Sequence, residues 1–155
     1  MTAISVEVNG LRWSGEVEPR LSLADLLRTR LGLTGTHLGC EHGVCGACNV
    51  MLDGEPARAC LIPAVAADGM RIGTVEGLAD PLAERLRAAF RAHHALQCGF
   101  CTSGMLMTAI DILRRGLGAD EAVVRRELAG NICRCTGYQG IVAAIRQVAE
   151  EMEHA

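Results

Sequence analysis

The chain has 155 residues, a formal net charge of −3 and a pI near 5.9, and only 3% of its residues are aromatic. That balance offers no basic footprint for nucleic acid, no Lys/Arg run for anionic lipid and no apolar segment of membrane-spanning length. With so few large rings the cores are expected to be thin, so something besides side-chain burial has to contribute stability.

Residues Met1 to Gly10 lack a cationic stretch and a long apolar run, so the chain is read as soluble and cytoplasmic, in a reducing compartment where thiols persist. Ile4 to Val8 alternate as a half-buried strand, Asn9-Gly10 is a hairpin turn signal, and Leu11 to Val17 return antiparallel. Ser22, three residues before Asp25, starts a helix whose Leu23, Leu26, Leu27 and Leu31 recur at helical spacing until Gly32. After a glycine-rich stretch, Asn49 to Leu52 reads as a strand, Asp53-Gly54 as a turn and Met70 to Val75 as another strand. The order strand, strand, helix, strand, strand suggests a β-grasp sheet.

Strand signals end in the Gly, Asp and Pro cluster at Gly73 to Pro81, which places a linker there and divides the chain at 1–76 and 77–155. Everything after it is expected to be helical. Asp80 caps a helix with Pro81 at its first position and Leu82, Leu86 and Phe90 on its apolar stripe. A second helix is expected over Ser103 to Arg115, and a third over Asp120 to Ala129 with a Glu121–Arg125 pair. The fourth is expected to begin at Thr136, with Gln139 completing a capping box and Ile141, Ile145, Val148 and Met152 inward.

Eight cysteines fall as two quartets with none left over: Cys40, Cys45, Cys48 and Cys60, then Cys98, Cys101, Cys133 and Cys135. The first has the C-x4-C-x2-C spacing and distant fourth cysteine of a plant-type [2Fe–2S] ferredoxin. Gly39, Gly43, Gly46 and Ala47 leave room for backbone N–H groups to reach the sulfurs. The second pairs C-x2-C with C-x-C, each ahead of an expected helix, where unpaired N–H groups and the dipole favour negative charge. Arg134, between two of these cysteines, is a candidate cation beside the site.

Other readings fit less well. Structural zinc usually pairs two C-x2-C knuckles, disulfides require export, and a Rieske centre needs histidine ligands that the full thiolate count leaves no place for. His37, His42, His93 and His94 are read as solvated or capping, Met105 and Met107 as packing, and Trp13 as packing in the hairpin. No Ser-His-Asp set, P-loop or dinucleotide fingerprint is present, so the chain has no substrate site of its own in view.

The strings Gly39-Cys-Glu-His-Gly-Val-Cys-Gly-Ala-Cys48, Gln97-Cys-Gly-Phe-Cys-Thr102 and Gly130-Asn-Ile-Cys-Arg-Cys-Thr-Gly-Tyr138 closely resemble the small iron–sulfur subunit of the xanthine oxidase family of molybdenum hydroxylases. The resemblance implies an α+β chain: an N-terminal β-grasp, plant-type ferredoxin domain, then a C-terminal four-helix domain, each with one [2Fe–2S] cluster. It also implies a large molybdopterin-binding subunit beside the second cluster, a medium FAD-binding subunit beside the first, and a dimer of heterotrimers. Electrons then pass from molybdenum through the second cluster and the first to flavin, with Gln97 and Cys135 as pterin contacts. Asn49, where Thr is common, and Ser103, where Pro is common, depart from the family pattern. The competing expectations are a freestanding two-cluster ferredoxin and a structural zinc module.

Overall fold

A computed structural model describes residues 1–154. Ile4, Val6 and Val8 are buried while Ser5 and Glu7 between them are more exposed, and this alternation sets strand β1, Thr2–Val8, with one face on a core. Asn9 and Gly10 take φ of 51° and 82°, the positive-φ pair of a tight hairpin turn, and β2, Leu11–Val17, returns with Val8 opposite Leu11. The Ser22 hydroxyl accepts from the Asp25 N–H at 3.0 Å and donates to the Asp25 carboxylate at 2.7 Å. Helix α1, Leu23–Asp25, starts there and widens over Leu26–Arg30, where the Leu31 N–H reaches back five residues to Leu26 O. Leu23, Leu26 and Leu27 lie in the core of the sheet.

Strands β3, Asn49–Leu52, β4, Glu55–Arg58, and β5, Arg71–Gly73, complete a sheet that, among the described residues, runs β2-β1-β5-β3-β4. The β1–β5 pair is parallel and the others are antiparallel. β4 was not expected from sequence, since Glu-Pro-Ala-Arg carries no β-branched residue; a second positive-φ turn at Asp53 and Gly54 folds it back onto β3. β5 is shorter than the expected Met70 to Val75. Asn9 accepts the Thr74 N–H at 2.8 Å, and Val75–Gly77 then coil into a single tight turn.

The helices that follow are α2, Pro81–Ala92, α3, Thr102–Arg114, α4, Glu121–Glu127, and α5, Gln139–Glu153. Asp80 and Asp120 cap α2 and α4 by accepting N–H groups of the first turn, and Arg125 pairs with Glu121 at 2.9 Å. The expected start of the last helix at Thr136 is wrong. Tyr138 takes φ of 68° and holds the chain out of the helix until Gln139, while the Thr136 hydroxyl accepts the Tyr138 N–H at 3.1 Å instead of capping with Gln139. Met152, expected inward, is exposed. Among the described residues, no helix is long and apolar enough to cross a membrane.

Two cores result, and β3 is the wall between them. Consecutive strand residues face opposite sides, so Val50 enters the sheet core while Met51 joins the helical one with Phe90, Met105, Ile110 and Ile145. Helix α3 comes so close to the first ligand loop that a Cβ on Gly104 would run into the Gly46 carbonyl. Gly104→Ala is therefore expected to force α3 off that loop and lower stability by about 1–3 kcal/mol, as overpacking does. Chemical denaturation of the cluster-loaded protein reads this, and an unchanged midpoint would show that the approach is slack.

Candidate metal centres

In the first quartet the turn after Cys40 wraps backbone around its sulfur. The N–H groups of His42, Val44 and Cys45 point at Cys40 Sγ from 3.5, 3.3 and 3.4 Å, which Gly43 permits with φ of 83°. Those N–H bonds, from Cys45 and His42 above all, hold the Cys40 thiol down to about 6. Cys48 is nearly fully buried and contacts Cys60, and burial pushes its thiol up to about 11. Cys45 thus meets Cys40 through both its N–H and its thiol, while Cys48 has the thiols of Cys60 and Cys45 near it.

The second quartet is more open. Cys98 and Cys135 are exposed, while Cys101 and Cys133 contact one another, and burial raises Cys101 to about 12. Burial opposes ionising Cys133 too, but hydrogen bonds led by the Thr136 hydroxyl, 3.1 Å from its sulfur, outweigh it and lower its pKa. Cys101 stands at the N-cap of α3, and the Phe100 N–H approaches Cys98 Sγ at 3.5 Å. The expectation that all four thiolates sit at helix starts fails for Cys133 and Cys135, which lie in the loop ahead of α5. Tyr138 secures that loop: its hydroxyl accepts the Cys133 N–H at 2.9 Å and donates to Asn131 O at 3.1 Å.

One cavity of about 180 Å³ touches all four cysteines of the second quartet and also Cys45 of the first. Beside it, the Ile132 N–H donates to the Cys45 carbonyl at 2.8 Å, so the two ligand loops are directly bonded. Gln97 donates to the Cys135 carbonyl at 3.0 Å, with both residues at the surface, and the exposed Arg134 lines the cavity. His37 crosses between the halves, its ring stacked 4.8 Å from Phe100 and its Nδ1 bonded to Phe100 O at 2.7 Å. His42 bonds only locally, to Cys40 O, and His93 caps α2 while reaching Gln147. Met105 and Met107 are fully buried, as packing residues are, and Trp13 packs against the sheet core.

The residues that sequence reasoning missed are polar and lie between the quartets. Asn49 faces the helices: its amide donates to Thr108 on α3 at 2.8 Å, and Thr108 donates to Asn131 at 3.0 Å. Asn131 donates on to Gly46 O, and Arg58 bonds Asn49, Gly43 and Gly130. The only signal for this seam was Asn49 itself, a polar residue in an otherwise apolar strand.

The donor set fits two-iron clusters. Each quartet supplies the four thiols that a [2Fe–2S] cluster takes as thiolates, and one cavity touches all four cysteines of the second. The Thr102 hydroxyl, next to Cys101, is buried without a partner among the described residues, a spare donor beside an anionic site.

Comparison with known proteins agrees. Residues 6–78 match the family described as "2Fe-2S iron-sulfur cluster binding domain" and residues 74–146 that described as "[2Fe-2S] binding domain". The chain is thus a protein of two [2Fe–2S]-binding units. It is 52% identical to caffeine dehydrogenase subunit gamma of Pseudomonas sp. (strain CBB1), across 98% of this chain and 93% of that one. It is also 52% identical to the nicotine 6-hydroxylase small subunit of Paenarthrobacter nicotinovorans, across 92% and 86%. The crystal structure of quinoline 2-oxidoreductase from Pseudomonas putida 86 superposes with a TM-score of 0.91 at 50% identity, covering 99% of this chain and 97% of the matching one. The chain belongs to the small iron–sulfur subunits of the xanthine oxidase family of molybdenum hydroxylases.

The two extremes of thiol environment are separable by chemistry. In the cluster-free chain near neutral pH, iodoacetamide is expected to alkylate Cys40 well before Cys48 or Cys101, because its thiolate persists above about pH 6 and is lost below it. Mass spectrometry of a labelling time course checks this; equal rates at the three positions would contradict it.

Proposed function

We propose that this chain is the electron-relay subunit of a heteromeric molybdenum hydroxylase, linking a molybdopterin centre on a large subunit to FAD on a medium one in a cytoplasmic dimer of heterotrimers. Cys40, Cys45, Cys48 and Cys60 hold one cluster in a β-grasp ferredoxin domain at 1–76, and Cys98, Cys101, Cys133 and Cys135 hold the other in a four-helix domain at 77–155. Each [2Fe–2S] cluster, when bound, supplies one-electron exchange.

The observation that carries the reading is the Ile132 N–H bond to the Cys45 carbonyl, 2.8 Å, which joins a cysteine of the first quartet to the residue before Cys133 of the second. Two units serving separate purposes have no need of such contact. The surroundings differ in a way that suits a relay with two ends: Gln97 and Cys135 are tied together at the surface, open to a pterin on a large subunit, while Cys48 is enclosed. The relatives bear the names of subunits of dehydrogenases and hydroxylases, which favours a resident relay over a freestanding ferredoxin.

Native purification is expected to bring down larger subunits with molybdenum and flavin, and EPR of the reduced protein to show two distinct [2Fe–2S] signals. Cys135→Ser is expected to abolish most of the second signal and spare the first. A monomer free of molybdenum and flavin, a single signal, or equal loss of both signals in the variant would each sink the assignment.

A further inference from the structure

Arg58 ends β4 and turns its guanidinium into the seam between the two ligand loops. Its Nε donates to the Gly43 carbonyl at 3.2 Å, inside the first loop, and its Nη2 to the Gly130 carbonyl at 2.6 Å, ahead of Cys133. Its Nη1 donates to the side-chain oxygen of Asn49, itself 3% exposed and bonded to Thr108 on α3. All three nitrogens are engaged, so the planar fork is fixed in direction as well as distance. Its partners are neutral oxygens; among the described residues no carboxylate forms an ion pair with it. A half-buried cation without a counter-ion therefore stands beside two sites built for anions.

We infer that Arg58 is a positioning residue that holds the two ligand loops in register and, through its charge, makes the first cluster the easier of the two to reduce. The inference rests on the relay reading and deepens it. Reduction adds negative charge to a cluster, and a nearby cation favours the more negative state. Arg58 is tied to the first quartet twice, through the chain to Cys60 with only Ala59 between and through its bond to Gly43, which lies between Cys40 and Cys45. It touches the second only through Gly130, with Asn131 and Ile132 intervening before Cys133. The stronger pull on the first cluster makes electron flow from the second to the first downhill.

Two variants in the assembled complex separate charge from shape. Arg58→Met keeps the stem and removes charge and fork; Arg58→Lys keeps the charge and removes the fork. Redox titration followed by EPR is expected to move the first signal of Arg58→Met to more negative potential, by more than the second, while Arg58→Lys stays near wild type. Thermal unfolding is expected to weaken in both, through the lost bonds to Gly43 and Gly130. Unmoved potentials, equal displacement in Met and Lys, or a larger displacement of the second signal would overturn the inference. Should Arg58→Met assemble without clusters, Arg58→Gln, uncharged but still a donor, carries the same expectation and the same overturning results. Failure of the relay reading looks different, because it appears in the wild type as a single signal or as zinc.

Discussion

Everything in this molecule is arranged around the meeting of two loops, where the Cys45 carbonyl accepts the Ile132 N–H. A backbone bond of this kind requires close approach, and close approach requires small residues. Gly46 and Gly104 supply them, since a Cβ on Gly46 would collide with the Gly130 carbonyl and one on Gly104 with Gly46 itself. The glycines around the first quartet therefore have two tasks. Gly43 bends the chain so that N–H groups face Cys40, and Gly46 lets the loop lie flat against its neighbour. The second task is a constraint between halves of the chain, and it is invisible in either half alone.

The electrostatics of the two thiol sets follow from where each loop sits. Cys40 has a turn of backbone N–H groups around it and ionises readily, while the buried Cys48 and the half-buried Cys101 have other thiols beside them and resist ionisation as free thiols. Binding of a cationic iron–sulfur unit reverses that resistance, because the metal supplies the positive charge that burial withholds.

Much of this was legible in the sequence because it is written in local signals. The Asn9-Gly10 turn, the Ser22, Asp80 and Asp120 caps and the stripes of α2 and α5 each depend on residues within a few positions of one another. The cysteine pattern is equally local within each loop. What was misread had a non-local cause. β4 is a strand because β3 offers it a partner, although Pro56 and Ala57 have little preference for one. The last helix starts late because Tyr138 is drawn back to Cys133 and Asn131. Arg58, Thr108 and Asn131 looked like ordinary polar residues, and only the juxtaposition of β3 with α3 gives them a common purpose.

That purpose bears on why the seam is polar at all. An apolar interface between the halves would contribute more stability per unit area, but apolar surfaces are non-directional and tolerate sliding. A register error of one residue would break the Cys45–Ile132 bond and part the loops. The donors and acceptors of Arg58, Asn49, Thr108 and Asn131 match in one alignment only, since each displaced group would be left buried and unsatisfied at a cost of about 1–3 kcal/mol. Asn49 suits this place. Its amide presents a donor and an acceptor at separate atoms, and it uses the first on Thr108 and the second on Arg58. Asn49 thus joins the cation between the loops to the helix behind them.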